Sequence, residues 1–90
     1  MLVLCNISLS DENVYQFCQM LLNLRTVRKL NIANNRGLSS DSMSEIVGAF
    51  KGMPELREID LSKNNCSAVT VYKELADLII QNRRLKSITM

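Results

Sequence analysis

The 90-residue chain has no histidine and no tryptophan, and its aromatic residues are two tyrosines and two phenylalanines. Without histidine there is no imidazole to hold a metal ion and no His-assisted serine or cysteine nucleophile. No phosphate-binding glycine loop is present either, because the glycines of "GAFKG" (48–52) are in the wrong order for a P-loop. The sequence therefore predicts a protein that is not an enzyme and that uses no metal or cofactor.

Charge and cysteine are equally sparse. The net charge is +2, too small to indicate nucleic acid by itself, and few aromatic rings are available to stack on bases. No apolar run is long enough to span a membrane. The spacing of Cys5, Cys18 and Cys66 matches neither a metal knuckle nor a disulfide framework. We therefore expect no nucleic-acid or membrane partner, and a reducing, cytoplasmic location.

Short apolar alternations recur along the chain at a constant interval. Shifting the sequence by 29 superimposes three triplets: Val27, Leu30, Ile32; Leu56, Ile59, Leu61; and Leu85, Ile88, Met90. Shifted backwards, Leu30 and Ile32 fall on Met1 and Val3. Each alternation predicts a short strand whose apolar residues point into the core. At the start of the chain this places Leu2 and Leu4 on the opposite, open side.

Between the alternations, apolar residues recur at i, i+3, i+4 and i+7, the spacing of one face of an amphipathic helix. The four columns are Val14, Met43, Tyr72; Phe17, Ile46, Leu75; Cys18, Val47, Ala76; and Leu21, Phe50, Ile79. Helices of about 12 to 14 residues are predicted, with capping residues at Ser10, Ser40 and Ser67. Cys18 falls in a core column and is therefore predicted to be a buried, inert thiol.

A strand, a turn and a helix within each period make one coil of a right-handed solenoid. The predicted fold is α/β, with parallel strands on the concave side and helices on the convex side. Residues 1–90 would form one domain of three repeats (1–29, 30–58 and 59–87) and a final partial strand. Neither end has a polar capping unit, which is typical of a fragment or an uncapped array.

Two segments carry a recognisable pattern. They read Val27-x-x-Leu30-x-Ile32-x-x-Asn35 and Leu56-x-x-Ile59-x-Leu61-x-x-Asn64. This pattern resembles the leucine-rich repeat, and the unit length resembles the ribonuclease-inhibitor-like subclass. The resemblance implies a non-enzymatic scaffold that binds a protein across its concave face. It also implies a buried ladder of asparagines that hydrogen-bond to the backbone: Asn6, Asn35 and Asn64.

The predicted concave face and its borders supply the candidate binding residues. They are Arg28, Lys29, Asn31, Asn34, Arg57, Glu58, Asp60, Lys63 and Lys86. Arg28, Arg57 and Lys86 form a basic column before the strands, which could clamp an acidic partner or be merely solvated. Glu58 and Asp60 alternate on one face and could form a paired acid site, although a solvated face is favoured. Reversing the charges of Arg57 and Asp60 should weaken binding more than a change at Lys73.

Alternative interpretations remain open for the function. "LIIQNRRLKSI" (78–88) resembles repeats of tropomodulin-type actin regulators, which would imply an actin-regulating segment. A ligand-sensing segment of a larger signalling protein, such as an innate immune receptor, is a further alternative. The open sheet edges at the ends of the array could also support self-association.

Overall fold

The structure, a computed structural model, describes residues 1–5, 7–66 and 68–90. Within these ranges strands and helices alternate along the chain: β1 (Leu2–Val3), α1 (Val14–Leu22), β2 (Lys29–Asn31), α2 (Ser40–Phe50), β3 (Glu58–Asp60), α3 (Val69–Gln81) and β4 (Ser87–Thr89). The strands form one parallel sheet in the order β1-β2-β3-β4. The predicted α/β class is therefore confirmed.

The helices form a second layer against one side of this sheet. α2 contacts both α1 and α3, so it lies between them. The predicted core columns of α1 and α2 are confirmed, because all eight of their residues are buried: Val14, Phe17, Cys18, Leu21, Met43, Ile46, Val47 and Phe50. They pack against the inward-facing residues of β2 and β3 and of the positions just after them: Leu30, Ile32, Ile59 and Leu61.

The register of the first strand differs from the prediction. Leu30 of β2 is paired with Ile59 of β3, at an offset of 29, but with Leu2 of β1, at an offset of only 28. Leu2 and Leu4 therefore pack against the core, while Met1 and Val3 are 84% and 49% exposed. The prediction that Leu2 and Leu4 lie on the open side is wrong.

The cause of this shift is the length of the turn that follows each strand. Leu9 and Leu38 are both buried at the end of such a turn. Leu38 comes three residues after Asn35, whereas Leu9 comes two residues after Ile7. The first turn is therefore one residue shorter than the second. As a result α1 and α2 still align at the predicted offset of 29, whereas β1 aligns with β2 at an offset of 28.

The core face of α3 is also displaced by one residue from the predicted one. Of the four predicted positions only Leu75 is buried, whereas Tyr72, Ala76 and Ile79 are exposed; Val71 and Leu78 are buried instead. Cys66, the buried residue that ends the third turn, again comes only two residues after Asn64. Tyr72, Ala76 and Ile79 therefore lie on the solvent-exposed side of α3 instead of in the core.

Two predicted helix starts are wrong by one to three residues, and the third prediction, Ser67, lies outside the described residues. α2 is capped by Ser39 rather than Ser40, since the Ser39 hydroxyl accepts a hydrogen bond from the Ser42 N–H at 3.2 Å. α1 begins at Val14 instead of close to Ser10. The Ser10 N–H donates to Oδ1 of Asn13 at 2.9 Å, so the intervening residues form a turn.

Candidate protein-binding face

The outward side of the sheet carries polar residues at matched positions. We call this surface the strand face; it comprises Val3, Lys29, Asn31, Glu58, Asp60, Ser87 and Thr89. The register aligns two rows of residues across the sheet: Lys29, Glu58 and Ser87 in one, and Asn31, Asp60 and Thr89 in the other. Four of the predicted binding residues, Lys29, Asn31, Glu58 and Asp60, are thus brought together. They line a shallow groove of about 130 Å³ with β4 and the exposed Met1.

One ion pair neutralises two of the three charges on the strand face, and Asp60 carries the third. Nζ of Lys29 lies 3.1 Å from Oε2 of Glu58, and both side chains are about half exposed. An ion pair in such a position contributes little stability, so it can be exchanged for contacts with a partner. The Ser62 side chain and then the Ser62 backbone N–H lower the pKa of Asp60. The Glu58 carboxylate is paired with Lys29 and the Asp60 carboxylate accepts a hydrogen bond from Ser62, so each has its own partner, and the described structure shows no hydrogen bond between the two.

Asn31 and Asp60 also shape the backbone just beyond their strands. Oδ1 of Asn31 accepts a hydrogen bond from the Ala33 N–H, and Oδ1 of Asp60 accepts one from the Ser62 N–H, both at 2.9 Å. These are Asx turns, which fix the direction of the side chain. The amide nitrogen of Asn31 has no hydrogen-bond partner within the described ranges. It is therefore free to contact a partner.

The basic column lies at the edge where the strands begin. The Arg57 N–H donates to the Arg28 carbonyl, and the Lys86 N–H donates to the Arg57 carbonyl, each at 2.7 Å. These bonds hold Arg28, Arg57 and Lys86 side by side. Nε of Arg57 is buried and has no hydrogen-bond partner among the described residues.

Asn34 and Lys63 lie at the opposite ends of the strands and are not brought together with the basic column. Both adopt left-handed backbone conformations, with φ of 60° and 57°. Asparagine adopts this conformation several-fold more often than most residues, so a turn role explains Asn34. The Asn34 N–H also donates to the Ser62 carbonyl at 2.9 Å, which ties the two turns together.

Asn35 and Asn64 form the hydrogen bonds of a ladder beneath these turns. Asn35 is 1% exposed; its Oδ1 accepts from the Ile7 N–H at 3.1 Å, and its Nδ2 donates to the Leu4 carbonyl at 3.1 Å. Asn64 repeats the pattern one unit later, with the Asn35 N–H as donor and the Ile32 carbonyl as acceptor. The third predicted member, Asn6, lies outside the described residues. In the observed register Ile7 is the counterpart of Asn35.

Two further polar groups that join neighbouring units were not predicted. Oδ1 of Asp11 accepts hydrogen bonds from the Ser39 N–H at 2.9 Å and from the Ser42 hydroxyl at 2.6 Å, at the start of α2. Nδ2 of Asn82 donates to the Leu56 carbonyl at 3.2 Å. The partners are 26 to 31 residues apart, so no local spacing in the sequence could have indicated them.

Comparison of the sequence with models of protein families and with curated proteins finds no match. No helix in the described part of the chain has the length and apolar character needed to cross a bilayer. The function is therefore inferred from the geometry of the strand face and its borders.

Proposed function

We propose that this chain is a leucine-rich-repeat solenoid of the ribonuclease-inhibitor-like kind, acting as a non-enzymatic scaffold that binds a protein through the strand face. Three observations support the architecture. Strand and helix alternate, the strands pair in chain order, and the same asparagine contact joins successive units. In such a solenoid the strand face is the concave surface.

One observation carries the functional part of the proposal: the three helices of the described chain all lie on the same side of the parallel sheet. Parallel sheets are almost always covered on both faces, because their strands are usually apolar on both. Here the second face is mainly polar: Lys29, Ser87 and Thr89 are exposed, and Val3 is the apolar member of the strand face. A polar, regular surface that no helix of the described chain covers is well suited to bind another protein.

The three cysteines support a reducing compartment as the place of action. Cys18 and Cys66 are buried free thiols, and Cys5 is an exposed one. An exposed free thiol is unusual in secreted domains, where cysteines are commonly paired. We therefore propose a cytoplasmic protein.

Affinity capture followed by mass spectrometry tests the strand-face proposal. The wild-type chain should retain a protein that the S87R/T89R variant loses, because both arginines would project from β4 into the bound partner. The matched control is Q16R/Q19R, which adds the same charge to exposed positions of α1. Loss of the partner with Q16R/Q19R but not with S87R/T89R would contradict the proposal.

We also propose that a second copy associates through the end formed by β4 and α3. This end exposes an apolar flank on α3: Val69, Tyr72, Ala76, Ile79 and Ile80. The flank lies beside the edge of β4 that is not paired with β3. If the β4 strands of the two copies run antiparallel about a two-fold axis, the start of one β4 lies beside the end of the other. The cations near the start of β4, including Lys86, are then kept apart from those of the other copy.

Sedimentation at several protein concentrations tests this association. The wild-type chain should form a dimer as concentration rises, and Ile80→Lys should remain monomeric. Gln16→Lys adds the same charge at the other end and should not change the dimerisation. A folded wild-type chain that is monomeric at every concentration would contradict the proposal.

A further inference from the structure

The loops that lead from α1, α2 and α3 into the next strands, taken together with the first residue of each of those strands, carry most of the positive charge. They comprise residues 24–29, 53–58 and 82–87, with seven basic and two acidic side chains, a net charge of +5. Because the whole chain has a net charge of +2, the rest of the chain carries a net charge of −3. We call the seven basic residues the basic rim; they are Arg25, Arg28, Lys29, Arg57, Arg83, Arg84 and Lys86.

Only some of the rim cations form ion pairs with acidic side chains. Lys29 pairs with Glu58, and Arg84 pairs with Glu55, both at 3.1 Å. These pairs use both acidic residues of the loops. In the described part of the chain, the other five rim cations have no acidic partner within 4.0 Å.

Helix dipoles do not account for this charge. A cation in the last turn of a helix is stabilised by the partial negative charge there, and the effect is confined to that turn. The last turns of the three described helices contain no basic residue. The rim cations instead lie in the loops beyond the helices and, for Lys29, at the start of β2, where mutual repulsion opposes their close placement.

The spacing of the rim is set by the sheet. Adjacent strands are about 4.8 Å apart, so Arg28 and Lys86, two strands apart, are separated by about 10 Å. An extended peptide covers that distance in about three or four residues. Its acidic side chains could then meet Arg28, Arg57 and Lys86 in succession.

We propose that the protein partner presents a short acidic segment that crosses the basic rim at the start of the strands, while the rest of the partner occupies the strand face. This inference rests on the proposed scaffold function. An acidic peptide fits better than a nucleic acid, because the rim loops contain no aromatic residue on which a base could stack. They do contain apolar side chains, such as the half-buried Val27 and Leu85, against which a peptide can pack.

Fluorescence anisotropy with a labelled peptide of alternating glutamate and serine, about ten residues long, tests the proposal. The R28Q/K86Q variant removes two exposed rim charges and should weaken binding about five- to tenfold. R36Q/K73Q removes two exposed charges outside the rim and is the matched control. Its affinity should stay close to that of wild type. Circular dichroism on both variants verifies that they are folded, and adding Arg57→Gln to the rim variant should weaken binding further.

Three outcomes would overturn the inference. These are no binding of the peptide at physiological salt, equal weakening by the rim and control variants, and tighter binding of a single-stranded oligonucleotide of the same charge. The scaffold proposal is tested separately, with the captured partner and S87R/T89R. If that variant keeps the partner while the rim variant loses the peptide, the strand-face proposal fails and the rim site stands alone.

Discussion

The Asn35 backbone N–H donates a hydrogen bond to Oδ1 of Asn64 at 3.0 Å, across 29 residues of sequence. Nδ2 of Asn64 donates a hydrogen bond to the Ile32 carbonyl at 2.8 Å. Each asparagine therefore satisfies a donor and an acceptor in the unit before its own, at the point where the chain leaves the sheet. An amide side chain suits this position because it provides both functions in one group.

Replacing Asn35 by alanine should lower the free energy of unfolding by about 1–3 kcal/mol, because buried backbone groups would lose their partners. Asn64→Ala should have a smaller effect within this range, since Asn64 is only half-buried. Urea denaturation measures both. Asn65→Ala is the control at the exposed neighbouring residue and should change stability by less than about 0.5 kcal/mol. A change of that small size at Asn35 would contradict the ladder.

The sequence correctly predicted the order of strands and helices, but it did not always predict which of their residues face the core. Apolar spacing correctly placed Phe17 and Phe50 in the core, since helix periodicity depends on local residues alone. It failed at Val3 and Ile79, because one period of 29 was applied to turns of different lengths. A one-residue change in a turn reverses which face of a strand is buried. The triplet Leu2, Leu4 and Ile7 matches Leu30, Ile32 and Asn35 at an offset of 28, which was the available signal.

The members of the candidate site that lie on strands could also be predicted, because alternation along a strand depends on local residues alone. Alternation along a strand identified Asn31 and Asp60 as outward residues, and the register joined them. It could not reveal which polar groups are already used. The hydrogen bonds of Asp11 to α2, and the ion pair of Lys29 with Glu58, depend on distances between units that no local pattern encodes.

Two adjacent residues of α3 test the corrected core face directly. Leu78 is fully buried and Ile79 is 57% exposed. Leu78→Ala should destabilise the chain by about 2–5 kcal/mol, because it leaves a cavity among packed side chains. Ile79→Ala should cost about 0.5 kcal/mol or less in the monomer. Thermal and urea unfolding at low protein concentration measure both losses of stability. A larger loss for Ile79→Ala than for Leu78→Ala would mean that the core face predicted from the sequence, with Ile79 inside, is the correct one.

Asp11 should make stability depend on acidic pH. Hydrogen bonds from the Ser39 N–H and the Ser42 hydroxyl lower the pKa of its carboxyl below the ordinary 3.8. A lowered folded-state pKa contributes stability that is present above pH ~4 and lost as pH falls through the folded-state value. Asp11→Asn should therefore be less stable than wild type at pH 7.

Urea denaturation across pH 7 to about 2 measures the difference between the two proteins, which should shrink as the pH falls below about 4. Glu12→Gln removes a neighbouring carboxylate that makes no hydrogen bond or ion pair in the described structure. It should leave stability at pH 7 nearly unchanged. A constant difference between Asp11→Asn and wild type over the whole range would refute the role of the Asp11 charge.

The thiols should react at different rates. Cys5 is exposed, while burial raises the pKa of the Cys66 thiol, and burial together with Glu45 raises that of Cys18. Since the thiolate is the reactive form, one thiol per native chain should react rapidly with an aromatic disulfide reagent. In urea all three should react, and Cys5→Ser should abolish the rapid phase. Equal native rates for the three thiols would show that Cys18 and Cys66 are not held in the core.

Site-specific photo-crosslinking tests the central claim, that the strand face binds a protein, most directly. A photoreactive amino acid at Thr89 lies on the strand face, and one at Gln16 lies on the outer surface of α1; both positions are exposed. In cells, the account predicts a crosslinked protein partner from position 89 and none of that partner from position 16. A partner crosslinked from position 16 alone would contradict it.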